Sequence, residues 1–384
     1  MAANVELWMP FDGHGVHQPV LSIPVNDCQR FSLKPLSWLR YLGFTIYGNE
    51  GHISTVPGGL EVDYNQDALL LDPDLLNDRT PDALSDLEDS ESDVSITASR
   101  SNFKDRVAAR DGSCLMTQVT RIFVACHIIP HAKGNQYLIN LAEHRHEVLD
   151  PPLEDINDTR NGITLALQLE FTYNASEVAF LRTPNFAMTV HDVDFVAPRL
   201  AEKYGIVVIP PSVATRRLTF QDFGSSDCCT AMVAPHNSDG RIADSEEWPP
   251  PLLFDVAYGC VALKKWGDSR FVDFARGRTR DVYYENVVIN GGNADHKKGE
   301  RGGSRDDCGG GGGGGGGDGD DEKPGKKGGR HGQHASDAAD PPAPDCFDMI
   351  LAIHTLNARK GLRQAHAIKA EKTREKVRSW FCSC

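Results

Sequence analysis

Three short segments carry side chains whose types and spacing could do chemistry. The first reads Cys126-His127-Ile128-Ile129-Pro130-His131, the second is Asn161-Gly162, and the third ends at Glu170. A neutral imidazole such as that of His127 accepts a proton readily near pH 7. Thiolate, imidazole and carboxylate groups all bind divalent cations. Side chains of these types could supply a proton acceptor and ligands for a divalent metal ion.

Two short strands and a helix would have to position these side chains. The apolar run from Ile122 to Ala125 predicts a strand that delivers Cys126 and His127 at its end. Residues 161–165 are expected to be extended, and residues 166–171 can start a helix. Upstream, residues 103–110 predict a short helix, and residues 114–117 predict a further strand after an Asp-Gly turn.

This arrangement resembles the HNH nuclease motif, and other segments extend the resemblance to fungal proteins with an HNH nuclease domain of the HNH_2 type. Those segments read RDGSC, CHIIPHAKG, RNGITL, VAFLRTPNFAM, YGCVALKKWG, RDVYY and PLSWLRYLGFTIYGNEGHISTVPGGLEVDYN. The resemblance covers most of the chain outside its acidic and glycine-rich stretches. It implies an α+β fold with a ββα-metal (HNH/His-Me finger) core and an endonuclease-like activity that hydrolyses phosphodiester bonds in DNA with a divalent metal ion.

The resemblance also assigns roles to the side chains of the motif. His127 would be the general base, and Asn161 would orient its imidazole or brace the loop. Cys126 and Glu170 would bind the metal, with His131 and Asp158 in reserve. In the family a small residue precedes the histidine and the third segment ends in a histidine, so Cys126 and Glu170 both depart from its pattern. Carboxylate suits Mg²⁺ and thiolate suits Zn²⁺, so the mixed set points to no single metal. Mg²⁺ is the first expectation and Zn²⁺ the second.

The charge of the chain is distributed unevenly. A formal net charge of −14 argues against a wholly basic surface for nonspecific nucleic-acid binding. Acidic residues cluster between Asp82 and Asp93, whereas basic residues surround the motif, and Arg110, Lys133 and Arg160 are the predicted nucleic-acid contacts. DNA is therefore the expected partner. Two alternatives stay open: a catalytically inactive HNH-fold nucleic-acid-binding module, and a protein-interaction module that uses the acidic linker and the basic tail.

Composition divides the chain into six predicted segments. They are a strand-rich N-terminal unit (1–71), an acidic linker (72–102), the HNH-like ββα domain (103–200), a β/α extension packed on the HNH core (201–290), a disordered glycine-rich linker (291–343) and a C-terminal helix (344–384). Residues 36–47 fit a buried strand or a short helix equally well, while residues 252–266 have helical spacing. The C-terminal helix is expected to dock on the core because both of its ends carry large apolar side chains.

The cysteines and the apolar runs indicate the cellular environment. Ten cysteines lack the spacing of a disulfide framework, so reduced thiols are expected. No run approaches the roughly 18 to 20 apolar residues that span a bilayer, and residues 1–12 lack the features of a signal peptide. A soluble intracellular protein is expected, with nucleus or cytoplasm left open.

Overall fold

The structure is a computed structural model, and it describes residues 3–10, 17–56, 59–65, 98–145, 149–196, 215–224, 234–279 and 343–382. Contacts divide the chain into two units, Met1–Tyr284 with Pro344–Cys384, and Glu285–Ala343. All described residues except Ala343 belong to the first unit. The acidic linker as far as residue 97, and the glycine-rich linker as far as residue 342, lie outside the described residues. The bounds of the six predicted segments stay predictions.

The N-terminal segment is a hairpin followed by two helices. Strand β1 (Asn4–Pro10) pairs antiparallel with β2 (His17–Pro24), and helices α1 (Val25–Phe31) and α2 (Pro35–Tyr47) follow. Helix α2 begins with Pro35, whose missing N–H is not needed in a first turn. It ends at Gly48, which has a φ of 89° and donates its N–H to the carbonyl of Phe44.

This segment differs from the strand-rich unit that the sequence predicts for residues 1–71. Residues 36–47, which fit strand or helix, are helical because one helical face buries Trp38, Tyr41 and Leu42 in the core. The many glycines and prolines that indicate strands and turns do flank the elements, but they also begin and end helices.

The middle of the chain holds the motif segments. Its elements are α3 (Ala98–Asp111), β3 (Phe123–His127), a 3-10 turn (His131–Lys133), α4 (Gly134–His144), a second 3-10 turn (Thr159–Asn161), β4 (Gly162–Ala166) and α5 (Leu167–Asn174). Strands β3 and β4 are antiparallel, and α5 follows β4 directly. The predicted strand at residues 114–117 is wrong: these residues form a turn that the Gln118 N–H closes on the carbonyl of Cys114.

The rest of the described chain is a small sheet and three helical segments. Strands β5 (Val178–Thr183), β6 (Arg217–Asp222) and β7 (Ser238–Gly240) form an antiparallel sheet in that order. Helix α6 (Pro251–Trp266) follows, then a helical segment at 269–279, and finally α7 (Cys346–Cys382). The predicted helix at residues 252–266 is therefore confirmed. No helix among the described residues has the length and apolar character to cross a membrane.

One hydrophobic core joins these elements, and α6 lies at its centre. Helices α2 and α6 approach so closely that a Cβ on Gly259 would lie 3.0 Å from the backbone of Thr45. Two buried hydrogen bonds link them, from Tyr41 to Asp255 and from Trp38 to Tyr258, both 2.7 Å long. The start of α7 packs against α6, α4 and α2, with residues 349–353 buried. The fold is α+β, and residues 349–353 at the start of α7 are part of its core.

Candidate active site

His127 is the last residue of β3 and lies opposite Gly162, the first residue of β4. Its imidazole stacks on the ring of Phe103, with centroids 3.9 Å apart and planes 9° from parallel. Its Nε2 lies 3.2 Å from Oδ1 of Asn157, and the ring of His131 is 5.5 Å away, centroid to centroid. An aromatic ring and an amide therefore fix the imidazole in one place.

Neither Phe103 nor Asn157 was among the residues that the sequence predicts for the site. Phe103 lies in a helix whose apolar residues look like ordinary core positions. Asn157 is in a loop of local turns, where its N–H bonds to the carboxylate of Asp155. The sequence feature that points to Asn157 is its position four residues before Asn161, in the loop that leads into β4.

Gly162 is required by close packing. A Cβ at this position would lie 2.6 Å from Cγ2 of Val107 and 2.7 Å from Cζ of Phe103. Only a residue without a side chain lets α3 approach β4 so closely. The Asn-Gly pair of the motif therefore brings Phe103 over the strand end that carries His127.

Asn161 braces the loop that follows β3. Its side chain is fully buried, accepts the N–H of Ile129 at 2.9 Å, and donates to the carbonyls of Ile129 and Ile156 at 3.0 and 2.9 Å. Of the two roles considered from the sequence, bracing the loop is the one that these bonds support. Because Ile129 is two residues from His127, the amide fixes the path of the chain just beyond the imidazole.

Cys126 points away from His127, because successive residues of a strand face opposite sides of the sheet. It is 5% exposed, and its thiol faces the carbonyl of Val124 at 3.8 Å. Burial raises the pKa of the thiol far above its ordinary value, and the nearby Glu170 and Cys114 raise that pKa further. Because thiolate sulfur prefers softer ions than Mg²⁺, Cys126 is a poor ligand for a hard cation.

Glu170 and Asp158, two more of the predicted metal ligands, have other partners. Glu170 accepts a hydrogen bond from Asn174 at 3.0 Å on the surface of α5. Asp158 pairs with Arg160 at 2.8 Å and accepts its N–H, and the hydrogen bonds from Arg160 lower the pKa of Asp158 despite partial burial. Among the described residues, no three His, Cys, Asp or Glu side chains form a group that could hold a metal ion. In the described part of the chain, the predicted ligands are therefore not gathered into one such group.

Arg110 and Arg160, two of the predicted nucleic-acid contacts, stabilise the fold. Arg110 has a side chain 4% exposed, pairs with Asp111 at 2.7 Å, and donates to the carbonyls of Thr159, Gly162 and Glu247. Arg160 donates to the carbonyls of residues 151 and 152 as well as to Asp158. These guanidinium groups tie α3 and the loop before β4 to β4, so in this arrangement they are not directed at an external phosphate.

Lys133, the third predicted contact, is bound to the start of α7. Its ammonium lies 2.7 Å from a carboxylate oxygen of Asp345 and 2.8 Å from one of Asp348, and its side chain is 12% exposed. The two carboxylates outweigh burial and raise the pKa of Lys133. Tyr137 strengthens the contact by donating to the carbonyl of Phe347 at 2.9 Å. The loop after His127 is therefore attached to the C-terminal helix.

Comparison with known proteins identifies this part of the chain. Residues 108–180 match the model of the HNH_2 family, which is described as HNH endonuclease. No curated protein and no solved structure matches the chain. The matched stretch runs from the end of α3 into β5 and includes His127, Asn161 and Glu170. Residues 108–180 are therefore a domain of the HNH_2 family of HNH endonucleases.

Proposed function

We propose that the HNH domain acts on phosphodiester bonds of DNA with His127 as its base, and that this hydrolysis is impaired. The observation that carries the proposal is the placement of His127 at the end of β3, beside Asn157 and His131 and next to the loop that Asn161 braces. A ββα-metal core is part of the proposal. The order of β3, β4 and α5 supports it.

His127 would take the proton of the attacking water. A neutral imidazole has one donor and one acceptor nitrogen, and the amide of Asn157 can pair with Nε2 in either state by turning over. Stacking on Phe103 prevents the ring from swinging into solvent. These contacts hold a base at a fixed position, which is what general-base catalysis requires.

Impairment follows from the two positions that should supply the metal ligands. Cys126 is a buried thiol, and Glu170 stands where the family carries a histidine. A divalent ion would stabilise the charge that develops on the phosphate, and among the described residues no three His, Cys, Asp or Glu side chains form a group that could hold one. We expect cleavage to be slow and to depend on position 170.

The test uses the full chain with supercoiled plasmid and Mg²⁺, Mn²⁺ or Zn²⁺, with EDTA and His127→Ala as controls. We expect slow nicking that EDTA and His127→Ala both abolish. Glu170→His should raise the rate by about tenfold or more, because even residues that only support a metal ligand are worth 10- to 100-fold. Glu177→His, an exposed position just beyond α5, changes charge in the same way and should leave the rate unchanged. Nicking that persists in His127→Ala would contradict the proposal.

The second candidate function is a nucleic-acid-binding HNH domain without turnover. The buried thiol of Cys126 favours it, since restoring position 170 alone would leave the site one ligand short. Absence of nicking in both the natural chain and Glu170→His, together with binding of the plasmid, would select this candidate.

A further inference from the structure

Helix α7 leaves the core part of the way along its length. Residues 349–355 are buried, and the amide of Asn357 still donates to the carbonyl of Tyr47 at 2.7 Å. From residue 361 to 375 every residue whose side chain is described is exposed, including Leu362 at 57% and Ile368 at 58%. The second half of the helix therefore projects from the described part of the fold.

The projecting half is strongly basic in an acidic chain. Residues 359–378 contain eight Lys and Arg against two Glu, a net charge of +6, whereas the whole chain carries −14. Helix α7 thus concentrates positive charge on a segment whose described side chains from residue 361 to 375 are exposed.

Three arginines of this segment share one face. Arg359, Arg363 and Arg374 lie within about 60° of one another around the axis at 100° per residue, and all three are exposed. Arg374 approaches Glu371 at 3.5 Å, but both side chains are more than half exposed, so this pair is weak. From Arg359 to Arg374 the helix rises about 22 Å, the length of about six base pairs of duplex DNA.

The basic residues of the HNH domain that were predicted to contact DNA have other partners in the fold. Arg110, Arg160 and Lys133 are engaged with carbonyl and carboxylate oxygens of the fold, so the basic residues predicted to hold DNA are occupied. Phosphate neutralisation supplies a large share of the affinity of DNA-binding proteins, so an exposed basic surface elsewhere would supply what these three residues do not.

We propose that the arginine face of α7, defined by Arg359, Arg363 and Arg374, binds the phosphate backbone of duplex DNA. The inference rests on the proposed function, because it takes DNA as the substrate of the HNH domain. The charge of the face complements a polyanion, and guanidinium groups bind phosphate oxygens in a bidentate fashion. An α-helix with its side chains is about 10–12 Å wide and fits the major groove, which is about 12 Å wide.

Fluorescence anisotropy of a labelled 24-base-pair duplex, titrated with the full chain at several salt concentrations, tests the proposal. The variant combines Arg359→Gln, Arg363→Gln and Arg374→Gln, since glutamine keeps the helix propensity of arginine. We expect the affinity for the duplex to fall at least about tenfold. The negative slope of log K against log salt should become shallower by roughly 2 to 3, because each phosphate contact contributes about 0.9 to its magnitude.

The matched control removes the same charge elsewhere. Arg216→Gln, Lys265→Gln and Arg270→Gln change three exposed residues on other elements and should leave affinity within about twofold of the natural chain. An equal loss in this control, no loss in the arginine variant, or no binding by the natural chain would each overturn the proposal. Circular dichroism and thermal unfolding check that both variants fold alike.

Two further measurements are needed. One compares DNA with other anions as the ligand, and the other tests binding independently of the proposed catalytic function. Polyglutamate, or vesicles containing phosphatidylserine, bound through the same arginines as tightly as the duplex, would replace DNA by an acidic protein or a membrane and overturn the proposal. His127→Ala should bind the duplex as the natural chain does. Nicking that persists in His127→Ala, with duplex binding intact, would contradict the catalytic assignment and leave the arginine face standing.

Discussion

The imidazole of His127 lies face to face with the ring of Phe103, with 3.9 Å between their centroids. This contact depends on Gly162, which lets α3 approach the strand end where His127 stands. Phe103 of helix α3 thus packs directly on His127, which lies at the end of strand β3. The stack links the stability of the domain to the orientation of the proposed base.

Gly162→Ala should destabilise the domain and disturb the stack. The new Cβ would lie within 2.7 Å of Val107 and Phe103, and overpacking of this kind typically costs about 1–3 kcal/mol. Urea unfolding measures the loss. Gly277→Ala, in the helical segment 269–279 with no atom within 4 Å of the added Cβ, should instead stabilise by about 0.5–1 kcal/mol. A neutral Gly162→Ala would show that α3 can move away at no cost.

Asn161→Ala should cost about 3 kcal/mol, because it leaves a buried N–H and two buried carbonyls without their partner. Chemical denaturation checks the value. Asn174→Ala removes one exposed bond to Glu170 and should change stability by less than about 0.5 kcal/mol. If the two asparagines cost the same, the bracing role assigned to Asn161 is wrong.

Lys133→Met should loosen the start of α7 by leaving Asp345 and Asp348 without their shared cation. We expect a loss of about 1–3 kcal/mol, since Asp345 is half exposed and regains water. Hydrogen exchange of residues 346–355 is the measurement, with Lys265→Met as the exposed control. Adding Asp348→Asn to Lys133→Met should recover part of the loss, and no recovery would argue against the pairing.

Stability should fall as the pH drops below about 6.5, in part because of His354 on α7. Burial, then Arg145 and His144, hold the pKa of His354 well below its ordinary value of 6.5. Burial likewise lowers the pKa of His236 to about 4. The unfolded chain then binds protons that the folded chain does not, so each histidine contributes up to about 1.4 kcal/mol per pH unit.

Removing one of these histidines isolates its share of the slope. In His354→Leu, the slope of unfolding free energy against pH between 5 and 6 should fall by about 1.4 kcal/mol per unit. Asn357→Ala weakens the same helix contact without a titrating group and should keep the full slope. An unchanged slope in His354→Leu would mean that this imidazole is protonated in the fold.

The sequence predicts the elements whose pattern is local. The helix at residues 252–266, the strand that ends at His127 and the helix after β4 follow from apolar spacing and from the Asn-Gly pair. Residues 36–47 could not be assigned from periodicity, because their helical form depends on burial against α6. The turn at residues 114–117 depends on the positive φ of Gln118, which its residue type does not indicate.

The roles of the site residues were harder to predict, because they depend on partners distant in sequence. The residue type of Arg110 indicates an exposed cation, but in the fold its guanidinium group donates to the carbonyls of Thr159 and Gly162. Lys133 meets Asp345 more than two hundred residues later. Asn157 has no motif of its own, and only the fold brings it to His127.

Burial of residues 349–355 in the same core as α2 and α6 has a consequence for biosynthesis. Helices α2 and α6 and the HNH segments are synthesised long before these residues. Until α7 is made, the apolar side chains that it covers in the folded protein stay exposed. Such contacts between distant parts of a chain slow folding and prolong the exposure of sticky surface. A longer glycine-rich stretch before α7 should therefore lengthen the time for which these apolar side chains stay exposed during synthesis.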